Sequence, residues 1–157
     1  MPVTEPILTK RIPTAPFGDP KQRHTVGFDE YVKTGGYQAL EKALSMEPTA
    51  VVNTVKDAIV RGRGGAGFPA GLKWSFLAPI DGGRRYLAIN CDEAEPGTFK
   101  DRTCLEADPH RFLEGMLIAA WCAGVGEIWI YLRDEYHGCR RYSCRPKRAC
   151  VLSFDPQ

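Results

Sequence analysis

Tyr86-Leu-Ala-Ile-Asn-Cys91 is the stretch that decides the fold, because its apolar run predicts a short buried strand. Toward the carboxyl terminus, Asp108 and Pro109 supply an N-cap and a first-turn proline for a helix that extends to about Ala123. Glu127-Ile-Trp-Ile-Tyr-Leu132 follows as a second apolar strand. Strand, helix and strand in this order predict a parallel pair. We therefore expect an α/β fold with parallel strands flanked by helices.

The sequence before this unit predicts two helices, a short helical turn and an irregular arm. Apolar residues spaced three and four apart predict a helix over about 37–44. A second helix is predicted over about 48–60, since Pro48 suits a first turn, and a helical turn over 72–77. Residues 1–36 are rich in Pro, Gly, Thr and Lys without a sustained period, which predicts an extended arm.

Composition and charge are typical of a soluble globular chain with a distinct tail. The 157 residues are 43% hydrophobic and 25% charged, values expected of one globular domain. The net charge of +2 depends on residues 140–157, which hold five basic residues and one acid. The other 16 basic and 18 acidic residues give −2, so we expect no basic surface for nucleic acid. The sequence shows neither a secretory signal nor a transmembrane stretch, which predicts a cytosolic protein.

Gly62-Arg-Gly-Gly-Ala-Gly-Phe-Pro-Ala-Gly71, hereafter the glycine segment, is the least ordinary part of the sequence. It matches the G-x-G-x-x-G dinucleotide fingerprint formally, but it follows a predicted helix and is interrupted by Pro69. Backbone with so few side chains lets a flat or phosphorylated ligand approach its N–H groups closely. The alternative is a flexible linker, which the aromatic residues Phe68 and Trp74 disfavour.

Asp92-Glu-Ala-Glu-Pro-Gly97, hereafter the acidic loop, directly follows the first predicted strand. Its three carboxylates and the amide of Asn90 fall at the carboxyl end of that strand, where α/β sheets place their ligands. Such groups can hydrogen-bond the ribose hydroxyls or amide of a nucleotide. A solvated acidic turn is the alternative. Metal binding is possible, but no histidine or second carboxylate cluster lies nearby in the sequence.

The cysteines near the carboxyl terminus do not form a recognisable ligand set. Cys139, Cys144 and Cys150 are separated by four and five residues, which fits no iron–sulfur pattern, and no fourth cysteine lies near them. The sequence also contains no serine elbow, HExxH or CxxC motif. These motifs therefore give no candidate catalytic side chain and no candidate metal ligand.

Two long motifs and three shorter stretches resemble the NADH-binding FMN flavoprotein subunit of respiratory complex I, in its amino-terminal portion. These stretches are 61–74, 90–102, 109–110, 114–116 and 128–140. The resemblance divides the chain into an arm over 1–36, an FMN/NADH-binding domain over 37–140 and a tail over 141–157 that does not match the family. Because the charge and cysteine content change at the tail, we hypothesise that a frameshift or premature stop produced it.

The resemblance implies a partial Rossmann-like domain that binds FMN and NADH. In this family hydride passes from NADH to FMN, and electrons then pass singly to iron–sulfur clusters. The glycine segment would contact the cofactors, Arg63 and Lys73 would meet phosphate or polar edges, and Phe68 and Phe76 would stack on the NADH rings. Side chains around the acidic loop would hydrogen-bond the ribityl chain and NADH. The implied cofactor-binding residues are Gly62, Arg63, Gly64, Gly65, Ala66, Gly67, Phe68, Lys73, Phe76, Asn90, Asp92, Glu93 and Glu95.

The resemblance also implies partners and parts that this sequence lacks. The full-length subunit continues into a ubiquitin-like domain and a helical domain whose cysteines hold a [4Fe–4S] cluster, and those ligands are absent here. The implied partners are NADH, a thioredoxin-like 2Fe–2S subunit and a large iron–sulfur subunit, with no nucleic acid and no direct membrane contact. The implied location is peripheral on the inner face of the membrane, in the cytoplasm or the mitochondrial matrix.

Three alternatives remain open at the level of sequence. The same module serves NAD-linked hydrogenases and formate dehydrogenases as their diaphorase subunit. A truncated product of this family could instead be catalytically silent, since part of the flavin pocket is absent. An unrelated phosphate-binding protein with a glycine loop is the third alternative.

Overall fold

A computed structural model of the chain describes residues 10–12, 24–77, 79, 82–136, 138–139 and the backbone of 149–153. In these ranges the helices are α1 Phe28–Lys33, α2 Gln38–Leu44, α3 Pro48–Asp57, α4 Ala70–Trp74, α5 Lys100–Ala107 and α6 Pro109–Ala123. The strands are β1 Tyr86–Cys91, β2 Glu127–Leu132 and β3 Ala149–Ser153. The mixture of helices and strands confirms the predicted α/β class.

The three strands form one sheet in the order β1-β2-β3. β1 and β2 are parallel, with Tyr86 opposite Glu127 and Cys91 opposite Leu132. This pairing confirms the parallel unit predicted from the strand, helix and strand order. β3 pairs antiparallel to the other edge of β2 and lies in the segment that we predicted to be a non-family tail.

The core lies between one face of the sheet and α6. Ile128 and Ile130 of β2 are almost fully buried and pack with Met116 and Ala120 of α6. The side chains alternate along β2, so Trp129 points to the other face of the sheet and is exposed. α6, the second of the two helices that connect the parallel strands, therefore covers one face of the sheet.

The arm is more ordered than the sequence predicted. It contains α1, and Val26 N–H donates to the carbonyl of Ala107 at 2.8 Å. The Tyr31 hydroxyl donates to the buried carboxylate of Glu114 on α6, and the same carboxylate accepts Leu40 N–H at 3.1 Å. Long-range contacts to α5 and α6 therefore order a segment whose own sequence shows no helical period.

Several helix bounds differ from the predicted ones for identifiable reasons. α2 begins at Gln38 because Tyr37 has a positive φ of 64° and its hydroxyl bonds His110 Nδ1 at 2.9 Å. α3 ends three residues before the predicted position, since Val60 is drawn into a backbone pair with Ala70. α4 begins at Ala70, two residues before the predicted turn.

α5 is a helix that the sequence did not predict. Its eight residues include one buried apolar side chain, Leu105, so no amphipathic period is visible. Among all described helices, none is long and apolar enough to cross a bilayer.

Candidate functional site

The glycine segment is a closed loop with a hydrogen-bonded neck. Gly62 N–H donates to the carbonyl of Phe68 at 2.9 Å, and Ala70 N–H donates to the carbonyl of Val60 at 2.7 Å. The Arg61 guanidinium also donates to a carbonyl inside the loop, at 3.3 Å. A flexible linker has no such ties between its ends, so this geometry favours the binding loop over the linker that the sequence left open.

The tip of this loop presents bare main chain to its surroundings. Gly64, Gly65 and Gly67 have open space where a Cβ atom would be, and Gly65 and Gly67 have positive φ angles of 106° and 63°. Positive φ is the region that favours glycine. To the extent that the structure is described, the N–H groups of residues 63–67 donate to no other residue. Unused N–H groups without covering side chains fit the oxygen atoms of a phosphorylated cofactor.

Two exposed phenylalanines and two exposed cations lie in the glycine segment or within five residues after it. The rings of Phe68 and Phe76 are 45% and 68% exposed, and their centroids lie 6.3 Å apart. Lys73 is exposed one turn before Phe76, whose N–H donates to the Lys73 carbonyl at 3.3 Å. Arg63 is exposed within the tip itself. Aromatic faces and cations beside free N–H groups can hold a flat, anionic ligand.

The acidic loop is shaped by two local turns. Asp92 N–H donates to the side-chain oxygen of Asn90 at 2.9 Å, which turns the chain as it leaves β1. Thr98 N–H donates to the carbonyl of Glu95 at 3.1 Å, and Gly97 has a φ of 78°. Proline followed by a glycine of positive φ is the pattern of a type II turn. The side chains of Asp92 and Glu95 consequently remain exposed.

Glu93, between those two acids, is buried instead. Its carboxylate accepts Asp101 N–H at 3.0 Å, Arg102 N–H at 3.3 Å and the Tyr136 hydroxyl at 2.9 Å. Burial alone would raise the pKa of Glu93, but these hydrogen bonds and Lys100, 4.0 Å away, lower it below its ordinary value of 4.5. Burial and the bond to Glu93 raise the pKa of Tyr136 to about 12.

The structure groups the predicted site residues into two sets. The first is the glycine segment with Lys73 and Phe76, and the second is Asn90 with the acidic loop. No hydrogen bond or ion pair between described residues joins the two sets, so their convergence on one cofactor stays a prediction. The residue-by-residue contacts expected from the resemblance also stay predictions.

Sequence reasoning missed two residues that hold the acidic loop. Arg133 N–H donates to the carbonyl of Cys91 at 3.2 Å, and its guanidinium donates to the carbonyl of Glu93. Tyr136 reaches the Glu93 carboxylate. Because parallel strands end at the same sheet edge, residues just after β2 could have been expected beside residues just after β1.

Among the described residues, no group of three His, Cys, Asp or Glu side chains is arranged to hold a metal ion. Three cysteines of the core region, Cys91, Cys122 and Cys139, have a pKa raised to about 11, chiefly by burial. The site geometry therefore consists of main chain, aromatic rings, cations and carboxylates.

Comparison with known proteins shows what this chain is similar to. It is 52% identical over 116 residues to the F subunit of the Aquifex aeolicus NADH-quinone oxidoreductase, an overlap of 74% of this chain and 27% of that protein. It is 50% identical to the F subunit of the Escherichia coli NADH-quinone oxidoreductase, over 73% of this chain and 26% of that protein. The chain thus spans about a quarter of the length of these curated relatives.

A solved structure and a family model agree with these relatives. The crystal structure of an NAD+-reducing [NiFe]-hydrogenase in the air-oxidized state is 37% identical, with a TM-score of 0.62 over 76% of this chain and 21% of that one. The family model described as the Nuo51 FMN-binding domain matches residues 55–141, which is more than half of the chain and includes both candidate loops. The chain belongs to the Nuo51 FMN-binding domain family.

Proposed function

We propose that the chain is the FMN- and NADH-binding part of an oxidoreductase flavoprotein subunit. The observation that carries this proposal is the tip of the glycine segment, whose N–H groups donate to no other described residue and which is followed by Phe68, an exposed ring 6.3 Å from that of Phe76. Family membership over 55–141 supports FMN as the ligand class. The chemistry of these groups suits a cofactor that is both flat and phosphorylated.

The chain's own residues would bind and align the cofactors. Glycine-segment N–H groups would meet phosphate or carbonyl oxygens, and Arg63 and Lys73 would neutralise the phosphate charge. Phe68 and Phe76 would stack on the NADH rings. Direct contacts are proposed for Gly62, Arg63, Gly64, Gly65, Ala66, Gly67, Phe68, Lys73, Phe76, Asn90, Asp92 and Glu95; Glu93 would serve the site through the loop that it holds.

Bound FMN would supply the redox chemistry, because it accepts two electrons with a hydride and can release them one at a time. NADH, the hydride donor, would leave as NAD+. The protein would contribute alignment of the two rings and exclusion of water from between them. In this proposal no side chain is required as a general acid or base.

The larger assembly is also part of the proposal. By analogy with the NADH-quinone oxidoreductase relatives, electrons would pass from FMN to iron–sulfur clusters, and the whole enzyme would reduce a quinone. Partners would include a thioredoxin-like 2Fe–2S subunit and a large iron–sulfur subunit, at the inner face of the membrane. The [4Fe–4S] cluster would belong to the part of the full-length protein that has no counterpart in this sequence.

A second candidate is the diaphorase subunit of an NAD-linked hydrogenase or formate dehydrogenase. The similarity to the NAD+-reducing [NiFe]-hydrogenase structure, at 37% identity, supports it. Both candidates share the same NADH and FMN chemistry at this module. Neighbouring genes would distinguish them, since a quinone-reducing membrane arm and a hydrogenase subunit are different partners.

A flavin titration tests the proposal in this chain. Because it spans about a quarter of its relatives, we expect no stoichiometric yellow flavoprotein on purification but saturable quenching of FMN fluorescence. Gly64→Val should abolish the quenching, because its side chain would occupy the open space over the loop. Gly126→Val, at another glycine with open space, is the matched control and should bind as wild type does.

Two outcomes of this titration would count against the proposal. Quenching that does not saturate would contradict binding by the chain. An equal loss of FMN fluorescence quenching in Gly64→Val and Gly126→Val would contradict the proposal that the glycine segment binds FMN. A bright, stoichiometric flavin spectrum after gel filtration would instead contradict the expectation of weak retention.

A further inference from the structure

Glu93 is the one acid of the acidic loop whose carboxylate is turned into the protein. It is 4% exposed, whereas Asp92 and Glu95 on either side are exposed. A buried carboxylate is costly unless donors satisfy it. The carboxylate of Glu93 has donors from the chain itself, which separates it from its two neighbours.

Those donors come from two different elements. Asp101 N–H contacts both carboxylate oxygens, at 3.0 and 3.1 Å, and Arg102 N–H contacts one of them at 3.3 Å. Both N–H groups belong to the first turn of α5, which has no side-chain cap of its own. Glu93 therefore caps α5 from outside the helix, and its charge is favourable there.

The second element is the turn after β2. The Tyr136 hydroxyl donates to Oε2 of Glu93 at 2.9 Å, and the Arg133 guanidinium donates to the main-chain carbonyl of Glu93. Both the side chain and the main chain of Glu93 are thus hydrogen-bonded to the turn after β2. The Glu93 side chain is also hydrogen-bonded to α5. We refer to Glu93, Arg133 and Tyr136 as the clamp.

We propose that Glu93 is a positioning residue, which fixes Asp92 and Glu95 for the cofactors and does not itself contact them. This inference rests on the proposed function, because it assigns how one part of that site is held. A carboxylate offers about four acceptor positions, and three protein donors and Lys100 already surround this one. The side chains of Asp92 and Glu95 on either side stay exposed.

The two possible roles of Glu93 predict opposite effects of Tyr136→Phe. If Glu93 contacted the cofactor directly, loss of the tyrosine hydroxyl would leave an oxygen freer to bind, and FMN affinity would stay equal or increase. If Glu93 positions the loop, the same change loosens it, and FMN affinity falls by about 3- to 10-fold, the net value of one typical hydrogen bond. Tyr86→Phe, at an exposed tyrosine on β1, is the control and should change nothing.

The experiment is a double-mutant cycle of Tyr136→Phe and Glu93→Gln in the full chain, with two readouts. FMN affinity is measured by fluorescence quenching, and exchange of the Asp101 and Arg102 amide protons is measured by hydrogen exchange. We expect both single variants to weaken FMN binding and to accelerate exchange, and the double variant to be no worse than Glu93→Gln. Additive losses, or a Tyr136→Phe variant that binds FMN as well as wild type, would overturn the positioning role.

The exchange readout separates this inference from the proposed function. If wild type shows no saturable FMN binding, the proposed function fails. The clamp is then tested only by the hydrogen exchange of the Asp101 and Arg102 amides. Unchanged amide exchange in Tyr136→Phe would then overturn the clamp as well. Should Glu93→Gln fail to fold, Tyr136→Phe still decides the question, because it leaves the Glu93 carboxylate and its two backbone donors in place.

Discussion

Gly71 on α4 lies against the backbone of Lys56 on α3, so closely that a Cβ atom at position 71 would be less than 3 Å from the Lys56 nitrogen and Cα. Glycine is required here by close approach of two helices and not by a positive φ. This contact packs α4 against α3, the helix that precedes the glycine segment, and so positions Lys73 and Phe76. The last glycine of that segment therefore has a packing role distinct from the open tip.

Gly71→Ala should destabilise the chain by about 1–3 kcal/mol, the usual effect of adding a methyl group to a packed contact. The backbone atoms of α3 cannot move aside as a flexible side chain would. Urea unfolding followed by circular dichroism measures the change. Gly126→Ala, at a glycine with open space, is the control and should shift the unfolding free energy by less than about 0.5 kcal/mol.

The lowered pKa of Glu93 predicts a loss of stability in acid. Above its ordinary pKa of 4.5 the carboxylate is ionised in both the folded and unfolded chain, and its contribution to the unfolding free energy is fully present. As pH falls below 4.5 the unfolded chain takes up the proton first, so this contribution decreases and is lost once pH passes through the lower folded-state pKa.

The measurement is the unfolding free energy of wild type and Glu93→Gln between about pH 6 and pH 3. Glu93→Gln should show a shallower decline below about pH 4.5, because it cannot take up this proton. Identical slopes for wild type and Glu93→Gln would show that the clamp does not stabilise the charged carboxylate.

The elements of the core were predictable because their signals are local. β1, β2 and α6 have the predicted bounds, since a run of apolar residues or a capped helical period can be read within one segment. Gly124 ends α6 with a φ of 62°, as a glycine at a helix end does. Asp108 precedes α6 as predicted, but its carboxylate lies near Arg11 and Arg111 and does not cap the helix.

The parts that sequence reasoning missed depend on distant residues. α5 is capped by Glu93 from outside the helix, and Glu93 is in turn bonded to Tyr136, which is 43 residues away in the chain. No local pattern reports either contact. The same limit applies to the site: the residue types of both loops were readable, whereas the inward orientation of Glu93 depends on partners from other elements.

Buried cysteines should react slowly with alkylating reagents. Burial raises the pKa of Cys91 and Cys139 from 9.0 to about 11, so at pH 8 the thiolate, which is the reactive form, is about a hundred-fold scarcer than in an unperturbed cysteine. We expect iodoacetamide to modify both only after unfolding. Peptide mass spectrometry of native and urea-treated samples measures this, and rapid modification of the native chain at Cys91 would contradict its burial.

Glu95 should affect NADH turnover without affecting the fold. Its side chain is exposed in the acidic loop, so the equivalent Glu95→Gln change in a full-length relative removes a charge from the proposed site and no buried contact. We expect altered NADH-dependent turnover with an unchanged circular dichroism spectrum and melting temperature. Steady-state kinetics that match wild type would remove Glu95 from the proposed site.

The ring of Phe76 should matter for nucleotide binding and little for stability. It is 68% exposed and contacts the ring of Phe68 at a centroid distance of 6.3 Å, so its removal leaves no buried cavity. If the ring stacks on NADH, Phe76→Ala should weaken NADH binding by about 2- to 10-fold, the value of one aromatic pair, whereas Phe76→Tyr should preserve it. Titration of NADH fluorescence measures the affinity.

Phe28→Ala is the matched control, since Phe28 is also exposed, at 58%, and contacts a neighbouring ring outside both loops. If Phe76→Ala and Phe28→Ala bind NADH with equal affinity, the Phe76 ring does not contribute to NADH binding.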